Sequence, residues 1–415
     1  MAKILIIIPY NFYPPKFGGA LRCFHLLNEA SYANEVTLLT VQDPAEFNHH
    51  SSHKFPGNVT IESSCFKGEY KTIFNILPFR IARAFNSRLL QRRLFKKGNL
   101  YLLRTYPMLK ELLRLNNFDV VIYENLESFS VLQKHIKRLS PSSKHIYDAH
   151  NVDSELWKAH ATAYQTPKLN GYGRTALMEE SKLHNTTDLC FCCSESDMLK
   201  LQRINGGLLN ITVIPNGVDV PSKPFDKNPN KSNIKNILFC GTLDYAPNRE
   251  GLLWFSEKIF PLVQEKIPKI RLTIIGKMNN NDPYSSLKKN PNINFIGPVE
   301  DVGSFYTESS VAIVPIMQGS GTRLKILEAM SFGNPVVATG IGAEGLRFTN
   351  KKEILIANAP VDFADAIISL IGDQPFFEQI RVNAYELVKK EYDWRVSGIK
   401  MNQSIKELLR ISKNS

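Results

Sequence analysis

The stretch VAIVPIMQGSGTRLKILEAMSFGNPVVATGIGAEGL, residues Val311 to Leu346, decides the fold of this chain. Its first five residues, Val311 to Pro315, read as a buried strand, because a continuous apolar run bounded by turn residues suits a strand covered on both faces. A loop with Gly319 and Gly321 follows, and a helical pattern starts near Thr322 and carries Arg323, Lys325 and Glu328. Gly333-Asn334-Pro335 ends that helix, VVAT (Val336 to Thr339) reads as another buried strand, and Gly342 to Gly345 forms a second glycine loop. A strand, a loop and a helix start in this order suit an anion, since the first helical amides lack partners and the macrodipole favours negative charge there. Arg323 and Lys325 oppose that dipole unless something negative sits beside them. Lys325 and Glu328, three apart, also fit an ordinary surface pair.

The same alternation extends in both directions. NILFCG (Asn236 to Gly241), a helix near Glu250 to Lys266, RLTIIG (Arg271 to Gly276), INFIG (Ile293 to Gly297) and a helix near Val302 to Ser309 lead up to the opening stretch. In the first half, strands are predicted at Lys3 to Pro9, Glu35 to Thr40, Phe118 to Tyr123, His145 to Asp148, from Leu189 and at Ile211 to Ile214. Strands alternating with helices predict parallel sheets. The expected fold is α/β, with two doubly wound Rossmann-like domains facing a central cleft. The expected divisions are an N-terminal domain over 1–220, a Pro- and Lys-rich linker over 221–234, a C-terminal domain over 235–390 and a last helix, 391–415, crossing back.

Composition narrows the function. The chain has 415 residues, 43% hydrophobic and 22% charged, an ordinary globular balance. The net charge of +12 calls for an anionic partner: nucleic acid, a membrane surface or a phosphorylated substrate. No helix-turn-helix, zinc or RNP-type pattern accompanies the charge, which argues against nucleic acid. The opening MAKILIIIPY is too short for a signal peptide core or a membrane span, and no later run reaches the length of a spanning helix. The six cysteines (Cys23, Cys65, Cys190, Cys192, Cys193 and Cys240) lack repeated CxxC spacing and read as buried free thiols in a reducing cytoplasm. From Lys71 to Lys110 there is no Asp or Glu, while basic residues such as Arg80, Arg83, Arg92 and Lys96 interleave with apolar ones. That segment fits either an anionic membrane surface or a solvated helix face.

Candidate site residues lie past strand ends, where a doubly wound sheet holds its ligand. Gly18 and Gly19 stand directly before a helical pattern and permit close backbone approach to a phosphate, with Arg22 as a helper, although the loop is not a GxGxxG fingerprint. Glu124 and His150 follow two further strands and are placed in the same cleft.

The runs F-C-G-T-L-D-Y-A-P-N (Phe239 to Asn248), I-I-G, F-I-G-P-V-E-D-V, V-P-I-M-Q-G-S-G-T-R-L-K-I-L-E-A-M-S-F-G-N-P-V-V-A-T and G-A-E-G-L resemble the donor-binding half of retaining GT-B-fold glycosyltransferases, the group 1 and family 4 class. The first half is similar in the Gly18-Gly19 loop, Y-D-A-H-N (Tyr147 to Asn151), S-E-S-D (Ser194 to Asp197) and P-N-G-V-D. The resemblance implies that the C-terminal half binds a nucleotide-diphosphate sugar and the N-terminal half the acceptor. It implies that Glu328 holds the ribose, that Arg323, Lys325 and the amides of Gly321 and Thr322 face the diphosphate, and that Gly297 to Val299 lie against the base. Gly18, Gly19 and Gly241 line the donor in the same reading, and His150 stands near the reacting sugar.

Ser320 departs from the pattern, which often has a second glutamate eight residues before the one matched by Glu328. The implied activity is a retaining, hexosyltransferase-like transfer from a nucleotide sugar to a cell-envelope glycan or a lipid-linked acceptor, as in polysaccharide biosynthesis. No cofactor or metal is called for, and no nucleic acid. A cytoplasmic location, peripheral at the inner face of the cell membrane through the segment 71–110, matches that expectation. Two other readings stay open: a nucleotide-sugar epimerase or hydrolase on the same fold, and a non-catalytic nucleotide-sugar-binding protein.

Overall fold

The structure, a computed structural model, describes residues 1–48, 54–63, 106–163, 165–221, 231–278, 283–319 and 321–414. Most of the basic segment 71–110, most of the linker, Cys65 and Ser320 lie outside the described residues.

Among the described residues the first sheet has seven strands: β1 (Lys3–Ile8), β2 (Glu35–Thr40), β3 (Val59–Ser63), β4 (Val120–Glu124), β5 (Lys144–Ala149), β6 (Leu189–Cys192) and β7 (Ile211–Val213). Their order is β3-β2-β1-β4-β5-β6-β7. The second sheet has six among the described residues: β8 (Asn236–Cys240), β9 (Arg271–Ile275), β10 (Ile293–Gly297), β11 (Val311–Val314), β12 (Val336–Ala338) and β13 (Leu355–Ile356), in the order β10-β9-β8-β11-β12-β13. Neighbouring strands pair in parallel throughout both sheets. The two predicted doubly wound domains are therefore present as two parallel-sheet Rossmann-like α/β domains.

Parallel strands need crossovers, and the crossover helices cover both faces of a sheet, which is why the strands read as unbroken apolar runs. Ile4 to Ile8 of β1 are each at most 2% exposed. Burying such a side chain stabilises the fold by about 1.5–3 kcal/mol relative to leaving it in water. In each sheet the strand order reverses beside the first strand, so that β1 lies between β2 and β4, and β8 between β9 and β11. The carboxyl ends at such a reversal leave a crevice for a ligand.

Among the described residues the chain folds into two compact units, one of Met1–Ser154, Gly171–Pro215 and Ser397–Ser415, the other of Glu155–Asn170 and Asn216–Val396. The final helix, Trp394–Asn414, buries Met401 and Ile405, and Asn402 bonds to Asn34 and to the Glu29 carbonyl in the first unit. At the end of the linker stretch Lys231 is buried rather than loose, donating to the Phe332 carbonyl and to Asn334 Oδ1. The described cysteines are free thiols; four are buried and Cys240 is partly so. Among the described residues no helix is long and apolar enough to cross a membrane.

Candidate functional site

In the second unit, β8 ends at Cys240 and Gly241 follows, while β11 leads to the turn containing Gly319 and Gly321. The helix beyond, Leu324–Ser331, starts two residues later than the sequence pattern predicts and carries Arg323 at its N-cap without a side-chain cap bond. Gly321 and Thr322 therefore precede the helix instead of supplying its first-turn amides. Arg323 accepts through its carbonyl from the Ile326 amide at 2.9 Å, so one early donor is already used.

Lys325 turns inward. Its Nζ donates to Asn248 Oδ1 at 2.8 Å and stands 4.9 Å from the Phe239 ring centroid. A Cβ added at Gly241 would lie 2.9 Å from that Nζ and 2.8 Å from Asn248 Nδ2, a space only glycine leaves open. Burial lowers the Lys325 ammonium to about 8, with Arg323 pushing the same way and Cys240 and Glu328 pulling back. Glu328, on the next turn, takes its own partner: Tyr306 Oη donates to Oε2 at 3.0 Å, and the Tyr306 ring stacks on Phe332. Burial raises the Glu328 carboxyl, against the pull of Tyr306 and Lys325. The surface-pair reading of Lys325 and Glu328 fails, because each is turned to a partner on another element.

Burial also lowers the Arg323 guanidinium, offset by Tyr245, to which it bonds, and by Glu344. Thr322 Oγ1 is buried with no hydrogen-bond partner among the described residues. Gly297 closes β10 with φ +89°, and a side chain there would meet nothing within 4 Å. Val299 packs on the apolar cluster that includes Tyr306 and Leu327. The unit thus brings Gly241, Lys325 and Glu328 together; Gly297 is joined to Gly241 through Gly276, whose amide donates to the Gly297 carbonyl at 3.0 Å, and Val299 through the packing around Tyr306.

In the first unit Gly18 and Gly19 open the helix Gly18–Ala33, which has no side-chain cap bond at Phe17 and no acid in its first turn. A Cβ on Gly19 would lie 3.2 Å from His150 Nδ1, so the glycine pair and His150 are neighbours. His150 Nε2 lies 2.7 Å from Glu124 Oε2, with the two side chains 10% and 4% exposed. Asn125, directly after β4, adopts φ +65°, a left-handed turn that asparagine tolerates better than most residues, at the point where Glu124 leaves the sheet. Cys23 donates to the same Oε2 at 3.4 Å, and Tyr10 Oη is 3.2 Å from its sulfur. Burial, then Glu124, push the Cys23 thiol well up, which keeps it protonated. The ligand atoms of Cys23, Glu124 and His150 lie within 4.8 Å of one another, a spacing a metal ion could bridge, although hydrogen bonds already join them.

Arg22 is not a phosphate helper. Its guanidinium is fully buried and forks onto Asp148, Nη2 to Oδ1 at 2.6 Å and Nε to Oδ2 at 2.9 Å, while Nη1 donates to the Ile214 carbonyl. The helix rotation that places Gly18 and Gly19 at the strand ends points position 22 into the core.

Sequence reasoning missed Asn248, Tyr245 and Tyr306 as supports of the basic and acidic residues. Asn248 and Tyr245 lie inside the quoted run Phe239 to Asn248, at a strand end and a helix start, which was the available signal. Tyr306 had none.

Two family models match in tandem: Glycosyltransferase Family 4 over residues 18–221 and Glycosyl transferases group 1 over 234–373. A Klebsiella pneumoniae protein described as an uncharacterized 44.6 kDa protein in the cps region is 34% identical over 166 residues, 38% of this chain and 42% of that protein. The chain spans about half the length of the curated relatives it matches. Sucrose-phosphate synthase from Thermosynechococcus elongatus superposes with a TM-score of 0.72 over 99% of this chain and 100% of that one, at 16% identity. Anabaena HepE in complex with UDP-glucose does so with a TM-score of 0.63 over 99% and 100%, at 15% identity. Matched in order over more than four fifths of the chain, the two models identify a Glycosyltransferase Family 4 domain followed by a Glycosyl transferases group 1 domain, on the two-sheet GT-B fold shared with these structures.

Proposed function

We propose that the chain transfers a sugar, with retention of anomeric configuration, from a nucleotide-diphosphate sugar to a hydroxyl of a glycan or lipid-linked acceptor. The observation that carries this is the cluster at the reversal of the second sheet. There Lys325 and Arg323, both half-buried and both lowered by burial, sit beside the orphan hydroxyl of Thr322 and the carboxylate of Glu328.

Each group has a part in the proposed reaction. A diphosphate would pair with the cations of Lys325 and Arg323, offsetting the cost of their burial, and supply acceptor oxygens to Thr322, which accounts for a buried hydroxyl left without a partner. As the bond from the anomeric carbon to the diphosphate oxygen breaks, the same cations would stabilise the charge that gathers on the leaving group. Glu328 has Oε2 committed to Tyr306 and would take the ribose through Oε1. With side-chain cations on the diphosphate, the reaction as proposed uses neither metal nor cofactor. His150 would face a substrate hydroxyl from the first unit. The acid-free run of 71–110 supports an acceptor at an anionic membrane, which flotation with liposomes would test.

The deciding experiment is a thermal-shift screen over nucleotides and nucleotide sugars, beginning with UDP-glucose because HepE holds it. Ligand at about a hundred times its Kd adds about 2.7 kcal/mol to apparent stability, a rise of several degrees. A chain that no nucleoside diphosphate stabilises, or one whose shift survives Glu328→Ala unchanged, does not fit the proposal. Incubation with donor alone separates transfer from isomerisation: rapid epimer formation without acceptor favours the epimerase.

A further inference from the structure

We infer that Glu124 is a positioning residue that holds the His150 ring in its Nε2–H form, leaving Nδ1, turned to the glycine pair at the start of the first helix, to accept a hydrogen bond from a substrate hydroxyl. The hydroxyl's identity rests on the glycosyl-transfer reading; the state of the ring does not.

Two contacts bear on the proton. Glu124 Oε2 lies 2.7 Å from His150 Nε2 and also accepts from the Cys23 thiol at 3.4 Å. Cys23 lies in a buried, carboxylate-lined position where the thiol stays protonated and serves as a donor. With Glu124 ionised, the oxygen that receives the thiol proton accepts from the ring as well, which places the shared proton on Nε2. Burial and Asp148 push the Glu124 carboxyl up while His150 and Arg22 pull it down. The competing form, a protonated Glu124 donating to a bare Nε2, would crowd a second hydrogen onto the side where the thiol already donates.

The other ring nitrogen has a different outlook. Nδ1 makes no hydrogen bond among the described residues, and the position a Cβ would take on Gly19 lies 3.2 Å from Nδ1 and 3.2 Å from Tyr10 Oη. A missing side chain therefore leaves a small gap against Nδ1, beside a helix start without a side-chain cap bond. In the Nε2–H form this nitrogen offers a lone pair, which a hydroxyl can satisfy and a phosphate oxygen cannot. The tautomer of an imidazole is set by the bond its other nitrogen makes, which makes Glu124 the residue that chooses.

The test is the long-range ¹H–¹⁵N spectrum of the full chain carrying ¹⁵N-histidine, with the His150 signals assigned by their loss in His150→Gln. The expected spectrum has a protonated Nε2 and a bare Nδ1. Glu124→Leu is expected to lose that preference, and Glu124→Gln to keep it, because the amide oxygen still accepts from Nε2–H. With the donor found by thermal shift, Glu124→Leu should lower kcat by about 10²-fold with the donor KM changed less than about threefold, and Glu124→Gln should recover at least about tenfold. A wild-type ring with its proton on Nδ1, or a Glu124→Leu ring unchanged from wild type, overturns the inference. The wild-type spectrum alone decides if the leucine variant does not fold. It is recorded without substrate, so a failure of the glycosyl-transfer reading leaves it interpretable.

Discussion

Donor binding should take up a proton at Lys325. Burial first, and then the neighbouring Arg323, bring its ammonium to about 8, and Asn248 supplies its hydrogen bond. At pH 8 roughly half the molecules then carry a neutral Lys325, and a diphosphate within reach shifts the group back toward its ordinary value near 10.4. Binding at pH 8 therefore takes up about half a proton, falling to about a tenth at pH 7. Affinity should weaken about fourfold from pH 7 to pH 8.5, because protonating the group becomes part of the work of binding. The sign follows from a folded-state value below the ordinary one: the free protein sheds the proton first, and the complex holds it. Titration calorimetry with UDP-glucose in two buffers of equal pH and different ionisation enthalpy reads the uptake directly. Lys325→Gln should abolish the buffer dependence, and Asn248→Ala should move it to lower pH. Equal enthalpies in both buffers at pH 8, with an affinity flat from pH 7 to 8.5, would refute the reasoning.

Two further outcomes follow from named contacts. Gly241→Ala puts a methyl 2.8 Å from Asn248 Nδ2 and 2.9 Å from Lys325 Nζ, so donor affinity should fall at least about tenfold by calorimetry while the fold survives, since the clash lies at a ligand-facing strand end. Asp148→Ala leaves the Arg22 guanidinium buried without its forked partner and should cost about 3–5 kcal/mol in urea unfolding. A loss below about 1 kcal/mol would show that the pair contributes little.

Strands covered on both faces were legible because their residues are apolar at every position. β1, β2, β8 and β10 lie where the pattern puts them, within a residue at their ends. β3 and β13 were missed: VTIES is half polar at a sheet edge, and Leu355–Ile356 is two residues long, so neither carries a periodic signal. The helix Ala246–Trp254 begins four residues before its predicted start, because Pro247 reads as a break in a pattern and is instead a favoured first-turn residue. At the site, residue types were legible and their partners were not. The bond from Lys325 to Asn248 spans 77 positions and the one from Tyr306 to Glu328 spans 22, distances over which no local pattern operates. Arg22 was misread for the same reason, since its carboxylate lies 126 positions away.

That last pair ties two distant segments to one another. A guanidinium fork fits a carboxylate in a way an ammonium does not, and neither charge can stay in the core alone. Arg22 stands three positions after Gly19, and Asp148 two before His150, so the fork fixes the glycine turn against the histidine. Physically, the two positions depend on one another. Losing the acid strands the base in the core, and with it loosens the alignment of the turn and the ring.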